Sequence, residues 1–283
     1  MTNVLSHAQR LFGLALAAAG SFPVHASDAQ NGRAAPPLWE IGAFALGVSQ
    51  QAYPGSDTQL KRALALPFVV YRGHWLRADR DTLGVRAIKT SRLELDVGVA
   101  GSFGGGDEEI EARRGMRELG TLVELGPRVK YLLGEGEGGG RWRVDLPLRG
   151  VFDLNDAASC RGLAFEPRLL YERQLASGWR YSTSLSAILA DRRLASDFYG
   201  VSTADATSGR PAYTASAGLV STRLSLSATR SLNRDWRLFG FARLETVRGA
   251  ANEDSPLVRK KSGASVGLGV SYTLMRSQAR ARD

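Results

Sequence analysis

Three histidines and a single cysteine are the side chains of this 283-residue chain best suited to imidazole-base, thiolate or zinc chemistry. His7 and His25 fall in an N-terminal segment that reads as removable, which leaves His74 between Gly73 and Trp75. A serine nucleophile commonly needs a histidine base beside it. His74 has no patterned Ser or Asp partner and reads as a solvated turn residue. One His and Cys160 cannot supply the ligands of a zinc site, and Cys160 alone cannot close an internal disulfide. Gly104-Gly105-Gly106 and Gly134–Gly140 lack the strand-to-helix context of a phosphate loop and read as turns. Asp107-Glu108-Glu109 could attract a divalent cation at the cell surface but reads first as a solvated acidic tip. No catalytic residue, metal ion or cofactor is expected.

The remaining chemistry lies in charges that alternate with apolar neighbours. Glu94 and Asp96 are separated by Leu95, and Asp145 is flanked by Val144 and Leu146. Carboxylate pairs such as Glu94/Asp96 and Asp145/Asp153 could do acid–base work. They share a parity with many arginines, which points elsewhere. Glu94, Asp96, Arg128, Arg143, Asp145, Arg149, Arg223, Arg237 and Arg243 are expected to line the inside of a barrel. Two readings stay open there: a ladder of ion pairs that fills a narrow lumen, and a polar channel or ligand pocket.

The elements that must position these charges are strands. In Gly263–Leu274 the residues Ala264, Val266, Leu268, Val270, Tyr272 and Leu274 take one parity, and Ser265, Gly267, Gly269, Ser271 and Thr273 take the other. Successive strand side chains point to opposite faces, so this segment has one oily and one small polar face. The same two-beat pattern recurs from Trp39 onward, most clearly in Arg141–Leu154. In Ala63–Tyr71, Leu64, Leu66, Phe68 and Val70 are in phase. The apolar parity is expected to face lipid throughout.

The predicted fold is all-β: a single closed, antiparallel, up-and-down transmembrane β-barrel of about 12 strands, with 10 as the fallback if Trp75–Ile88 is not two short strands. With twelve, the long connections Gln50–Arg62, Phe103–Arg117, Asp191–Pro211 and Val247–Ser262 all fall on one side. Bacterial outer-membrane barrels show that asymmetry, with even strand numbers, short periplasmic turns and longer outer loops. Strand six is read over Glu118–Leu133 with Leu119 in its apolar phase, and strand ten over Tyr213–Thr229 with a bulge near Gly218. Trp39, Trp75, Trp142, Trp179, Trp236 and Tyr272 sit near strand ends, as an interfacial girdle requires. A soluble β-sandwich or lipocalin-like barrel also alternates, but it would keep charges such as Arg143 and Asp145 out of its interior.

Hydrophobic residues make up 43% of the chain and the mean hydropathy is −0.17, values that exclude a helical membrane protein but not a barrel. The 37 Lys+Arg exceed the 28 Asp+Glu, giving +9. The arginines are scattered through nearly every segment, with no basic helix and no zinc or RNA-binding signature, so nucleic acid is not an expected partner. Arg10 precedes the apolar run Leu11–Gly20, and Val24-His25-Ala26 supplies small residues before a cut. Residues 1–26 therefore read as a secretory signal peptide cleaved after Ala26. Residues 27–37 read as a flexible leader, 38–274 as the barrel, and 275–283 as a basic C-terminal tail.

Several segments resemble the MltA-interacting protein (MipA)/OmpV family of outer-membrane proteins. They are Tyr53-Pro54-Gly55-Ser56-Asp57, Pro67-Phe68-Val69-Val70-Tyr71-Arg72-Gly73, Phe198-Tyr199-Gly200-Val201, Arg210-Pro211-Ala212-Tyr213, Asp254-Ser255-Pro256-Leu257-Val258 and Gly267-Leu268-Gly269-Val270-Ser271-Tyr272. Their order spans essentially the whole mature chain. The resemblance implies a non-enzymatic barrel in the cell outer membrane, surrounded by outer-membrane lipid. It also implies a scaffold linking a murein lytic transglycosylase to a murein synthase. The alternatives are a small-solute, porin-like channel and a surface adhesion protein.

Overall fold

The computed structural model describes residues 35–72, 76–78, 83–102 and 110–281. The leader before residue 35, His74, Trp75, Gly104–Gly106 and Asp107–Glu109 lie outside these residues. The first half carries β1 (Trp39–Gln51), β2 (Gln59–Arg72), β3 (Leu76–Ala78), β4 (Leu83–Lys89), β5 (Leu93–Ser102), β6 (Leu122–Gly136) and β7 (Gly140–Asp153). The second half carries β8 (Ser159–Phe165), β9 (Arg168–Gln174), β10 (Trp179–Ala190), helix α1 (Arg192–Tyr199), β11 (Gly218–Ser231), β12 (Trp236–Thr246) and β13 (Ser262–Arg276).

All strand pairings are antiparallel, and the sheet returns on itself. β1 pairs with β2 on one side and with β13 on the other, and β10 pairs with β11. Segments β8 and β9 both lie between β7 and β10 and are halves of one stave. The break between them is Glu166-Pro167, where proline has no N–H to donate to the ladder. The thirteen segments therefore make twelve staves, and the last closes on the first. No helix among the described residues is long and apolar enough to cross a membrane, which says nothing against crossing by strands.

In a closed ring the buried parity is the inner one. On β6 and β7, Leu125, Tyr131, Trp142, Leu146 and Leu148 are exposed, while Arg128, Lys130, Asp145 and Arg149 are buried. On β13 the exposed set includes Val266, Leu268 and Leu274, with Ser265 and Ser271 buried. These staves follow the expected parity. The β1–β2 arc reverses it. Phe44, Leu46 and Val48 are buried, Leu64, Leu66 and Phe68 half-buried, and the outer face carries Ala43, Ala45, Gly47, Ala63, Ala65 and Pro67.

The reversal has a packing cause. Phe44, Leu46 and Phe239 form an inner apolar cluster with Leu66, Phe68 and Phe241. Opposing β13 presents glycines. A Cβ on Gly267 would lie 2.4 Å from the Phe241 ring, and one on Gly269 would lie 2.5 Å from the Phe239 ring. Large rings on one wall require no side chain on the next, as interiors at close-packed density demand. One arc of the interior is thus greasy and the rest is charged.

Among the described residues the aromatic girdle forms at one rim. Trp39, Tyr71, Trp142, Trp179, Trp236 and Tyr272 all lie at the strand ends opposite the long connections, with Trp142 against Tyr171 (4.9 Å) and Trp236 against Tyr272 (4.7 Å). At the same rim β13 runs to Arg276. Residues 277–281 stay paired with the entry to β1, through Leu38 N–H to Ala279 O (2.8 Å) and Ala281 N–H to Pro36 O (2.9 Å).

Candidate functional site

Strand register brings the expected inner charges together across neighbouring staves. Arg128 stands opposite Asp96 on β5 and binds it with two N–H groups, at 3.0 and 2.8 Å. Lys130 stands opposite Glu94 and reaches both Glu94 (2.9 Å) and Asp96 (2.7 Å). On β7, Arg143 binds Asp145 through two N–H groups (2.7 and 3.2 Å) and lies 3.4 Å from Glu172 of β9. Asp153 is held by Arg161 of β8 at 2.7 Å. Every carboxylate in the pairs considered for acid–base work is thus engaged by a cation.

Nearer the long connections the ladder converges on Glu166. Glu166 continues the inward parity of Gly162 and Ala164 and takes Arg149, Arg168 (3.5 Å), Arg223 (3.6 Å) and the Ser186 hydroxyl (3.1 Å). Arg149 also binds Glu124 at 2.6 Å, and Arg223 binds Glu245 at 2.9 Å. Sequence reading missed Glu166, Glu172 and Glu245 as members. The available signal for the first was its parity, two residues after Ala164 and two before Arg168 in an alternating run. Two expected members stand apart. Arg237 reaches only Ser231 (3.4 Å), and Arg243 lies over the Phe241 ring at 5.5 Å; neither makes an ion pair among the described residues.

Above this ladder the long connections fold into a cap with its own core. Ile110, Met116, Leu119, Leu194, Ala195, Tyr199, Val201, Ala215 and Leu257 are buried together. Inner residues from the ends of six strands join them: Leu60, Leu122, Val151, Ala164, Ala190 and Val220. Those strands come from across the ring, so the cluster occupies the mouth. Two boundaries read from sequence move accordingly. Leu119 belongs to the cap and β6 begins at Leu122, while Tyr213 pairs with Val201 in the cap and β11 begins at Gly218. Burial inside the cap wins over alternation there, because these residues have apolar partners the barrel wall could not give them.

Polar contacts pin the cap from several sides. Asp191 caps α1, its carboxylate accepting from the Leu194 N–H at 2.8 Å. The Tyr53 hydroxyl donates to Leu257 O (2.7 Å), Tyr199 donates to Pro54 O (3.0 Å), and Ser255 donates to Tyr199 O (2.8 Å). Arg113 donates to Phe198 O and Arg117 O, and Arg210 donates to Ala112 O and Arg114 O. Arg117 pairs with Asp197 of α1. Gly55, at φ +90°, makes the turn that lets its carbonyl accept from Arg259 and Lys260 (2.8 and 3.0 Å).

Burial sets the protonation of the cap. It pushes the Tyr53 hydroxyl up to about 12, against the opposing pull of Arg113. Burial also raises Tyr199, and it raises Asp197 despite the neighbouring Arg117. It lowers the buried Arg113 guanidinium.

The sequence profile of the MltA-interacting protein MipA family matches residues 41–274, from the first stave to the last. The chain belongs to the MipA family. It is an outer-membrane β-barrel of that family, and no curated protein matches it in sequence. Solved structures resemble it only distantly. An outer membrane channel from Pseudomonas putida F1 is 13% identical, with 89% of this chain and 100% of that chain covered and a TM-score of 0.38. The NanC porin is 10% identical, covering 84% and 100% with a TM-score of 0.37. A Pseudomonas aeruginosa FadL homologue is 8% identical, covering 94% and 98% with a TM-score of 0.32. Scores this low carry no argument; the ring of strand pairings carries the fold.

In this MipA-family barrel the segments that carried the resemblance meet in space. Tyr53–Asp57, Phe198–Val201, Arg210–Tyr213 and Asp254–Val258 are four parts of the one cap, joined by the tyrosine, serine and arginine contacts above. Pro67–Arg72 lies instead toward the far end of β2, where Arg72 meets Glu40 at 3.3 Å.

Proposed function

We propose that this chain is a non-conducting, non-enzymatic outer-membrane barrel that serves as an interaction protein of the cell envelope. On this reading it links a murein lytic transglycosylase of the MltA type to a murein synthase. The observation that carries the reading is the cap. A core of apolar residues contributed by strands from across the ring leaves the outer mouth filled, and the ion-paired ladder beneath it leaves few charges free to conduct a solute. With the outer mouth filled, the periplasmic rim is the surface open to murein enzymes. There the turns are short, the aromatic girdle anchors the ring, and residues 277–281 pair with the entry to β1. Longer connections mark the outer side of such barrels, which supports this orientation.

On the same reading the chain is exported with cleavage after Ala26, leaving Ser27 at the mature N-terminus. Chemical crosslinking of intact envelopes followed by purification of the barrel tests the partnership. A lytic transglycosylase and a murein synthase are expected in the crosslinked fraction. Their absence, with the barrel recovered intact, would remove the scaffold role.

A further inference from the structure

The reversed parity of β1 and β2 leaves a depression on the lipid-facing wall. Ala45, Gly47, Ala63 and Ala65 floor a groove of about 550 Å³, flanked by Leu238 and Leu268. Register sets Gly47 between Leu268 and Ala63, and Ala45 between Val270 and Ala65. β3 pairs with β2 at Tyr71 and Arg72, and none of the described residues pairs with β2 on that side at the height of Ala63 and Ala65.

The protein's own packing does not account for the floor. Gly42, Gly267 and Gly269 are required, since a Cβ there would lie within 2.6 Å of a neighbour. Gly47 differs: its nearest neighbour would be Leu268 O at 4.0 Å, and its backbone is accessible to any residue. A glycine in mid-strand is conformationally costly and often marks a place where another molecule approaches the backbone closely.

Charge identifies the occupant. The outward parity of β2 runs Ala65, Ala63, Lys61, so the ammonium of Lys61 follows the groove about 7 Å toward the cap. Ala63–Tyr71 is about the length a tilted strand needs to cross the hydrocarbon, which leaves Lys61 at the outer boundary. Lys61 is exposed and has no carboxylate partner among the described residues. Lys260, in the connection that leads into β13, is exposed as well. An apolar slot on the membrane side with cations at its outer end matches an acyl chain joined to a phosphate.

We infer that this groove binds one phosphorylated, acylated lipid of the outer leaflet, with a chain along Ala45, Gly47, Ala63 and Ala65 and a phosphate at Lys61. Native mass spectrometry of the full mature protein in detergent, titrated with lipid A, tests it against phosphatidylethanolamine as control. Ala45→Leu with Ala65→Leu fills the slot from the lipid side. Lys61→Ala with Lys260→Ala removes the cations. Heat-dependent electrophoretic mobility checks that each variant still folds. The wild type is expected to retain one lipid A through delipidating washes and the filled variant to lose it. The charge variant is expected to bind roughly fivefold more weakly for each cation removed. Equal retention by wild type and folded variants, or no retention by the wild type, would overturn the assignment. A wild-type dimer that the filled variant breaks would overturn it too, by making a second copy the occupant.

Discussion

Glu166 is the residue on which the charged interior turns. Three guanidinium groups and one hydroxyl face its carboxylate, so Glu166→Gln leaves cations without their shared counter-charge. Removing one partner of a buried ion pair costs about 3–5 kcal/mol. The expected outcome is a large drop in the urea midpoint of the barrel refolded into lipid vesicles. Arg243 is the contrast, since it lies over Phe241 without an ion pair. Arg243→Met is expected to be neutral within about 1 kcal/mol, or stabilising, in the same unfolding assay. The cap tyrosines give a pH prediction with a definite sign. Tyr53 has a folded-state pKa raised to about 12, so its contribution is complete below the unfolded value of about 10 and is lost as pH rises through about 12. Tyrosinate absorbance is expected to show cap tyrosines ionising last, and Tyr53→Phe is expected to remove one late-titrating group.

At the scale of elements, β13 and β12 fit as glycine against ring. Gly267→Val is expected to destabilise the barrel by at least ~1–3 kcal/mol through overpacking against Phe241. Phe241→Ala in the same chain is expected to restore part of the loss, and a double-mutant cycle on vesicle-refolded protein measures the coupling. This pairing also shows what could be read in the sequence. β13 was legible because its alternation is strict, and so were the ladder residues Arg128, Arg143 and Asp145, whose charges recur at period two. The side on which β1 and β2 bury their large residues was not legible. Alternation fixes that two faces exist, but the middles of these strands carry no charge to say which one meets lipid, and only Glu40, Arg62 and Arg72 at their ends share the inner parity. Phe44 and Leu66 are as suited to hydrocarbon as to an apolar interior, and only the glycines of a strand far away in sequence decide it. The cap was hidden for a related reason. Leu119 and Tyr213 sit in runs that alternate, yet their partners come from other loops.

For the whole molecule, the rows of exposed Leu, Val and Trp on the outer parity require a solvent other than water. Leu268 is 65% exposed and Leu244 59%, with Leu185 at 54% and Leu125 at 46% on other staves. The mature chain is therefore expected to stay dispersed only in detergent or lipid; recovery as a compact monomer from plain buffer would place that parity against protein instead. On the proposed reading, the twelve-stave ring, the inner ladder and the packed cap together make a barrel that is present in the membrane without being a pore. Single-channel recording of the mature protein in planar bilayers tests this most directly. Stable insertion without discrete conductance steps is the expected result, with steps appearing once the cap is loosened by Tyr199→Ala and Leu257→Ala. Regular open steps from the unaltered protein would contradict it.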